Sequence, residues 1–123
     1  MEKGCVFCQI VCGQTATEIL HSAENLVVFR DIRPQAPVHL LIVPKKHIRS
    51  VNDLAPEDQA VVGEMLLTAK AMAARFDIAT SGYRLLVNVE RGGGQVIFHL
   101  HMHLIGGVGT LSANARSRIL GAG

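Results

Sequence analysis

Tryptophan is absent from these 123 residues and tyrosine occurs once. So few flat side chains leave little for unpaired bases to stack on. Charge of either sign is also scarce. Twelve Lys and Arg against 10 Asp and Glu leave a net +2, spread along the chain and too weak for a phosphate-backbone footprint. A nucleic-acid partner is therefore not expected. No apolar run reaches the length of a membrane span, and the N-terminal stretch MEKGCVFCQI has no signal-peptide h-region. The expectation is a soluble, cytoplasmic protein with no membrane partner. Three cysteines, an odd number without a secretory signal, argue against a disulfide framework. Repeats, low-complexity segments and linkers are missing too, so 1–123 reads as one domain.

What is plentiful is apolar surface. Hydrophobic residues make up 49% of the chain and mean hydropathy is +0.30, high for a domain of this size. Either the core is unusually apolar or part of the surface is covered by a second copy, and a homodimer is expected.

GCVFCQIVC (4–12) reads as a short helix closed by Gly13. Strands are expected at 17–21, 25–30 and 38–43, the last stopped by Pro44, with DIRPQAP (31–37) a loop. One long helix should run from Pro56 to about Phe76. Pro suits its first turn, Glu57 and Asp58 its positive end, and Lys70 and Arg75 its other end. Its apolar stripe is Val61, Val62, Met65, Leu66, Ala69, Met72, Ala73 and Phe76. Strands at 83–88 and 97–105 follow, joined across RGGGQ, and a small, polar tail from 108 reads as loosely held. Strands in runs with one main helix indicate an α+β antiparallel sheet.

The stretch HLHMHL (99–104) sets His99, His101 and His103 at alternate positions. On a strand these three share one face while Leu100, Met102 and Leu104 share the other. Solvated surface histidines are the bland alternative. Chemistry offers two others: one metal held by all three rings, or one ring acting as nucleophile or base with its neighbours in support. Gly92, Gly93, Gly94 and Gln95 just upstream form either a plain hairpin connection or a turn whose N–H groups approach an anion. No carboxylate cluster lies nearby to hold Mg²⁺, so phosphate chemistry here would run on imidazole and backbone donors. Cys5 and Cys8 form a C-x-x-C, read alone as a redox pair, a zinc half-site or two small buried residues. Cys12 reads as buried and His21 as surface.

HLHMHLI fits His-x-His-x-His followed by apolar residues. With FRDIRPQAPVHLLIVPKKH (29–47), YRLLVN (83–88) and GGQVIFHLHMHLIGG (93–107) it resembles the nucleotide-binding branch of the histidine triad superfamily. The likeness covers about 5–107, leaving 108–123 as a tail, and the Gly-Gly after the motif sets it apart from the fragile-histidine dinucleoside triphosphate hydrolases. The resemblance implies a five-stranded antiparallel sheet with one long and one short N-terminal helix, continued across a homodimer. It implies a purine nucleoside phosphoramidase cleaving the P–N bond of adenosine or guanosine 5′-phosphoramidates. His101 matches the nucleophile, and His103 and His39 the histidines flanking phosphate. Asp31 matches the ribose ligand, Phe7, Ile10, Phe29 and Ile32 the apolar walls around the base, and Asn88, Gly94 and Gln95 further positions of the nucleotide site. Val96 stands where many relatives carry a polar residue that can bond the phosphoramidate, which leaves the proton donor to the leaving amine open.

Some bacterial relatives combine such a cysteine pair with two histidines to hold structural zinc, and the matching residues here are Cys5, Cys8, His47 and His99. Four protein ligands leave no open position, so no catalytic metal is expected. The alternatives are hydrolysis or transfer on a dinucleoside polyphosphate or nucleotide sugar, and a non-catalytic purine-nucleotide binding module.

Overall fold

The structure is a computed structural model that describes residues 4–107; the 108–123 tail lies outside the described residues. Helix α1 (Val6–Val11) leads into strands β1 (Ile19–Ser22), β2 (Leu26–Arg30) and β3 (Val38–Pro44). Helix α2 (Gln59–Arg75) follows, then β4 (Tyr83–Leu86) and β5 (Met102–Gly106). The strands form one antiparallel sheet in the order β1-β2-β3-β5-β4.

Sheet and helices fit together because β2 and β3 are apolar on both faces. Leu26, Val28, Leu40 and Ile42 pack with Met65, Ala69 and Met72 of α2. Their alternates Val27, Phe29, Leu41 and Val43 pack with Phe7 of α1. All seven residues of β3 are buried, as a continuous apolar run on a two-sided strand requires. The long helix thus takes one face, and His39, alternating with Leu41 and Val43, belongs to the other.

Several boundaries differ from the sequence reading. Pro56–Asp58 is a 3₁₀ turn ahead of α2. Buried Asp58 fastens it, accepting from the Ala55 N–H at 2.8 Å and pairing with Lys46 Nζ at 2.7 Å. On α2 the buried face contains Thr68, whereas Leu66, expected inside, is 50% exposed beside Leu67 at 69%. Cys12 is exposed, because α1 ends at Val11 and its buried side consists of Phe7 and Cys8. Pro44 belongs to β3, opposite Leu26.

The largest departure concerns the histidines. Strand β5 begins at Met102, so only His103 of the three lies on it. The β3 ladder ends at the Ile42–Met102 pair, and the Leu100 N–H turns to the Ile48 carbonyl at 2.6 Å. Residues 97–101 lie outside the ladder, yet the alternation persists. Leu100, Met102 and Leu104 join the core on the α2 side, while His99 and His101 meet the Phe7 ring of the other side and His101 meets His103. Gly106 and Gly107 close the motif for steric reasons. A Cβ at Gly106 would lie 2.5 Å from Ile78 Cδ1, and one at Gly107 2.8 Å from Pro37 Cδ. The missing side chains let the 31–37 loop lie against the end of β5.

Candidate active site

His101 is 6% exposed and sits against the ring of Phe7, centroids 5.0 Å apart and edge-on. Its Nδ1 is 2.7 Å from the His99 carbonyl oxygen. A carbonyl only accepts, so Nδ1 carries the hydrogen and a neutral ring keeps its lone pair on Nε2. Burial lowers the pKa of His101, opposed by that bond and by Asp31, so the ring is neutral at pH 7. A buried imidazole with one nitrogen fixed as donor and the other bare is the form a nucleophile needs.

His39 and His103 meet because Leu41 pairs with His103 and His39 with Ile105, making the two imidazoles diagonal neighbours on one face. His39 Nε2 and His103 Nδ1 are 2.9 Å apart. The His101 and His103 ring centroids lie 5.0 Å apart, so the pair borders His101. Asp31 completes the group from the 31–37 loop. Its Oδ1 accepts from the Arg33 N–H at 2.8 Å, holding the turn, and its Oδ2 lies 3.3 Å from His39 Nε2. Asp31 is thus both a loop cap and a site carboxylate.

Other expected contacts are placed differently. Phe7 and Phe29 are buried and edge-on at 5.5 Å, forming an apolar floor with partly buried Ile10 beside it. Ile32 is 91% exposed, so it stands out as a wall without a backing. Asn88 lies beside Gly94, at which a Cβ would sit 3.7 Å from its Cγ. Three amides of the glycine turn are taken and are not offered to an anion. The N–H groups of Gly93, Gly94 and Gln95 donate to Glu90 and Arg91 carbonyls in a 3₁₀ turn (Arg91–Gly93).

Gln95 corrects the sequence reading most clearly. It is 3% exposed, and its Oε1 accepts from the Glu90 N–H at 2.7 Å. Its Nε2 donates to the carbonyls of Arg49 at 2.7 Å and Ile97 at 3.0 Å. Those bonds hold Glu90 at φ 59° and ψ 177°, a conformation L residues seldom adopt. The carboxamide is spent on the loop instead of a ligand. Gln95→Ala should therefore cost about 2–4 kcal/mol, since each buried group left unpaired costs roughly 1–3 kcal/mol. Urea unfolding measures this, and an unchanged midpoint would return Gln95 to a ligand-contact role.

A second cluster lies beside the first. The ligand atoms of Cys5, Cys8, His47 and His99 all fall within 4.8 Å of one another. Cys5 Sγ is 3.4 Å from His99 Nδ1, and Cys8 Sγ is 3.3 Å from His47 Nδ1 and 3.5 Å from His99 Nδ1. Metal–sulfur and metal–nitrogen bonds of about 2.3 and 2.0–2.1 Å set at tetrahedral angles give sulfur–nitrogen edges of about 3.5 Å. The donor set fits such a centre. His99 Nε2 donates to the Pro44 carbonyl at 2.8 Å, which leaves Nδ1 bare and facing the sulfurs. Burial, chiefly, brings the His99 pKa down to about 4, so that lone pair is available. Cys5 Sγ also accepts from the Cys8 N–H at 3.3 Å. Burial is the main influence raising the Cys5 thiol. A single ion held by His99, His101 and His103 is not what this arrangement supports, because His99 faces the cysteines and His101 faces a carbonyl. The sequence reading missed the carbonyls of Pro44 and His99 that set both tautomers. Every residue carries a carbonyl, so no residue type marks them.

The sequence matches, over residues 4–117, the family described as scavenger mRNA decapping enzyme C-term binding. It is 40% identical over 107 residues to the purine nucleoside phosphoramidase of Escherichia coli (strain K12), covering 87% of this chain and 90% of that protein. Its fold matches a HIT family hydrolase from Legionella pneumophila Philadelphia 1 at TM-score 0.85 and 42% identity, covering 91% of this chain and 99% of the other. It also matches a zinc-bound histidine triad family protein from Mycobacterium smegmatis at TM-score 0.70 and 32% identity, over 83% and 73% of the two chains. By sheet order, histidine motif and sequence similarity together, this chain belongs to the histidine triad superfamily, among its hydrolases.

Proposed function

We propose that the chain is a purine nucleoside phosphoramidase acting through a covalent nucleotidyl-histidine on His101. The observation that carries this is the 2.7 Å bond from His101 Nδ1–H to the His99 carbonyl, which leaves Nε2 as a lone pair beside His39 and His103. The 40% identity to the Escherichia coli phosphoramidase supports the choice of substrate. Nε2 attacks phosphorus and forms a P–N bond as the bond to the leaving amine breaks. The amine nitrogen takes the electron pair and a proton from solvent, and the water of the second step returns one. Water then attacks the nucleotidyl-histidine, releasing nucleoside monophosphate and the free imidazole. The test is turnover of adenosine 5′-phosphoramidate beside diadenosine polyphosphate and a nucleotide sugar. Phosphoramidate should be cleaved fastest. Preference for another substrate would favour polyphosphate hydrolysis or nucleotidyl transfer, and no turnover with retained nucleotide binding a non-catalytic module.

For the nucleotide, Asp31 takes the ribose hydroxyls, Phe7, Ile10, Phe29 and Ile32 the base, and Asn88 and Gly94 the site's edge. Asp31→Asn should weaken binding of a ribonucleotide by about 1.5–3 kcal/mol, the scale of a hydrogen bond to a charged group. A 2′,3′-dideoxy analogue should lose less, by calorimetry. Equal losses would remove Asp31 from the ribose role.

We further propose a homodimer, with 1–123 folding as one domain in the cytoplasm, a reducing compartment that suits free thiols. Strand β4 is an edge of the sheet, and Leu85 on it is 38% exposed, as are Leu66 and Leu67 of α2 to a greater degree. An unpaired edge and exposed leucines are covered together if two sheets join along β4. Sedimentation at micromolar concentration should give a dimer, and Leu85→Lys should shift it towards monomer; a wild-type monomer would overturn the assignment.

Zinc belongs to the same reading. Cys5, Cys8, His47 and His99 would hold it, and the zinc-bound relative from Mycobacterium smegmatis is compatible with that. With four protein ligands its contribution would be to folding, with no place left for phosphate or water.

A further inference from the structure

We infer that the backbone N–H of Gln35 fixes the tautomers of both His39 and His103, and so makes His103 a one-way hydrogen-bond donor towards the ligand. The Gln35 N–H lies 3.1 Å from His39 Nδ1 and donates to it. An amide can only donate, so Nδ1 is bare and the hydrogen of a neutral His39 is on Nε2. Asp31 demands the same from the other side. Its Oδ2, 3.3 Å from His39 Nε2, would repel a lone pair there and attracts an N–H. The Nε2–H of His39 then points at His103 Nδ1, 2.9 Å away, which must accept. The remaining hydrogen of His103 is therefore on Nε2, on a ring 14% exposed and next to His101.

The direction of this chain has two consequences. First, His103 offers N–H to its ligand and so selects an acceptor, such as a deprotonated phosphoryl oxygen. Burial agrees with this, holding His39 below its ordinary value and His103 at about 4, both neutral at pH 7. Second, the neutral pair cannot relay a proton to a leaving amine. If His103 gave up Nε2–H and took the His39 proton on Nδ1, His39 would be left with two bare nitrogens as an imidazolate, and the Gln35 amide cannot supply a replacement. In this neutral state the pair stabilises charge, and it hands a proton to the amine only after taking one up itself.

The same geometry decides against a metal at Asp31, His39 and His103, although their ligand atoms also lie within 4.8 Å of one another. A metal on His39 Nε2 would force the hydrogen onto Nδ1, against the Gln35 N–H.

The inference rests on the phosphoramidase reading only for what the donor acts upon, and the test separates the two. Long-range ¹⁵N–¹H correlation spectra of the ¹⁵N-labelled protein at neutral pH report each imidazole tautomer without substrate. His39 and His103 should both show Nε2–H with bare Nδ1, and inorganic phosphate should shift the His103 Hε2 signal. Nδ1–H on His39 would overturn the inference whatever the activity. The expected tautomers without phosphoramidase turnover would leave it standing and sink the functional reading. Gln35→Pro removes the amide hydrogen, at the cost of a ring carbon in its place and a fixed φ. It should mix the His39 tautomers and lower kcat roughly fivefold to tenfold with little change in KM, as losing one modest hydrogen bond implies. Gln35→Ala keeps the amide and should match wild type in spectrum and rate. An unmixed His39 spectrum in Gln35→Pro would also overturn the inference, and if that variant does not fold, the wild-type spectrum decides.

Discussion

His101→Ala should lose phosphoramidate turnover by at least about a thousandfold to ten-thousandfold, since no positioning replaces the atom that forms the covalent bond. The neighbouring donors cannot substitute. His103 is committed at Nδ1 to His39, and the His99 ring is turned away towards Pro44. Nucleotide binding should survive, because Asp31, Phe29 and the His39–His103 pair are untouched. The variant removes a ring packed on Phe7, so a modest stability loss is expected and circular dichroism must confirm folding. His101→Asn retains more of the packing and should be equally inactive. Intact protein mass spectrometry after a rapid quench should show a nucleotidyl adduct on wild type and none on either variant. Retention of more than a few per cent of wild-type turnover would remove His101 from the nucleophile role.

The second large effect is expected in stability. With zinc bound as proposed, Cys8→Ser, or chelation, should remove one ion per chain and lower Tm by roughly 12–20 °C, taking a loss of about 3–5 kcal/mol at roughly 4 °C per kcal/mol for a domain of this size. The loss is large because the cluster ties three distant pieces together: Cys5 and Cys8 flanking the first turn of α1, His47 after β3, and His99 before β5. In the unfolded chain that site does not exist, so the metal's binding free energy is folding free energy. Much of the turnover should remain at low temperature, since His99 keeps its bond to Pro44 and its carbonyl on His101. Metal analysis of protein purified without chelators is the direct test. Zinc-free protein with unchanged Tm would leave Cys8 as a buried thiol and His47 as its hydrogen-bond partner.

The two expectations differ in where their support lies, and so does the rest of the molecule. An α+β sheet with one long helix was legible because its signals are local: apolar runs at β2 and β3, a helical stripe in α2, prolines in the 31–37 loop. Site membership was legible as residue types, since few side chains attack phosphorus or bind a soft metal. His39, His101, His103 and Asp31 do meet, and so do the two cysteines and two histidines.

What the sequence by itself determined was therefore the list of chemical groups and the elements carrying them. Only the tertiary structure decided how each group is used. Alternation along HLHMHL put the three rings on one side, as found, but it could not say that His99 would face the cysteines, His101 the His99 carbonyl and His103 the ring of His39. Gln95 looked like a ligand contact and became the clasp of a strained loop, because its burial left three backbone groups to satisfy. The hydrogen positions on three imidazoles follow from main-chain atoms: the carbonyls of His99 and Pro44 for His101 and His99, and the amide of Gln35 for His39. Those atoms are the same in every residue, so the sequence cannot mark them. Folding alone brings a particular carbonyl or amide to within 3.1 Å of a ring nitrogen, and that decides which nitrogen carries the hydrogen.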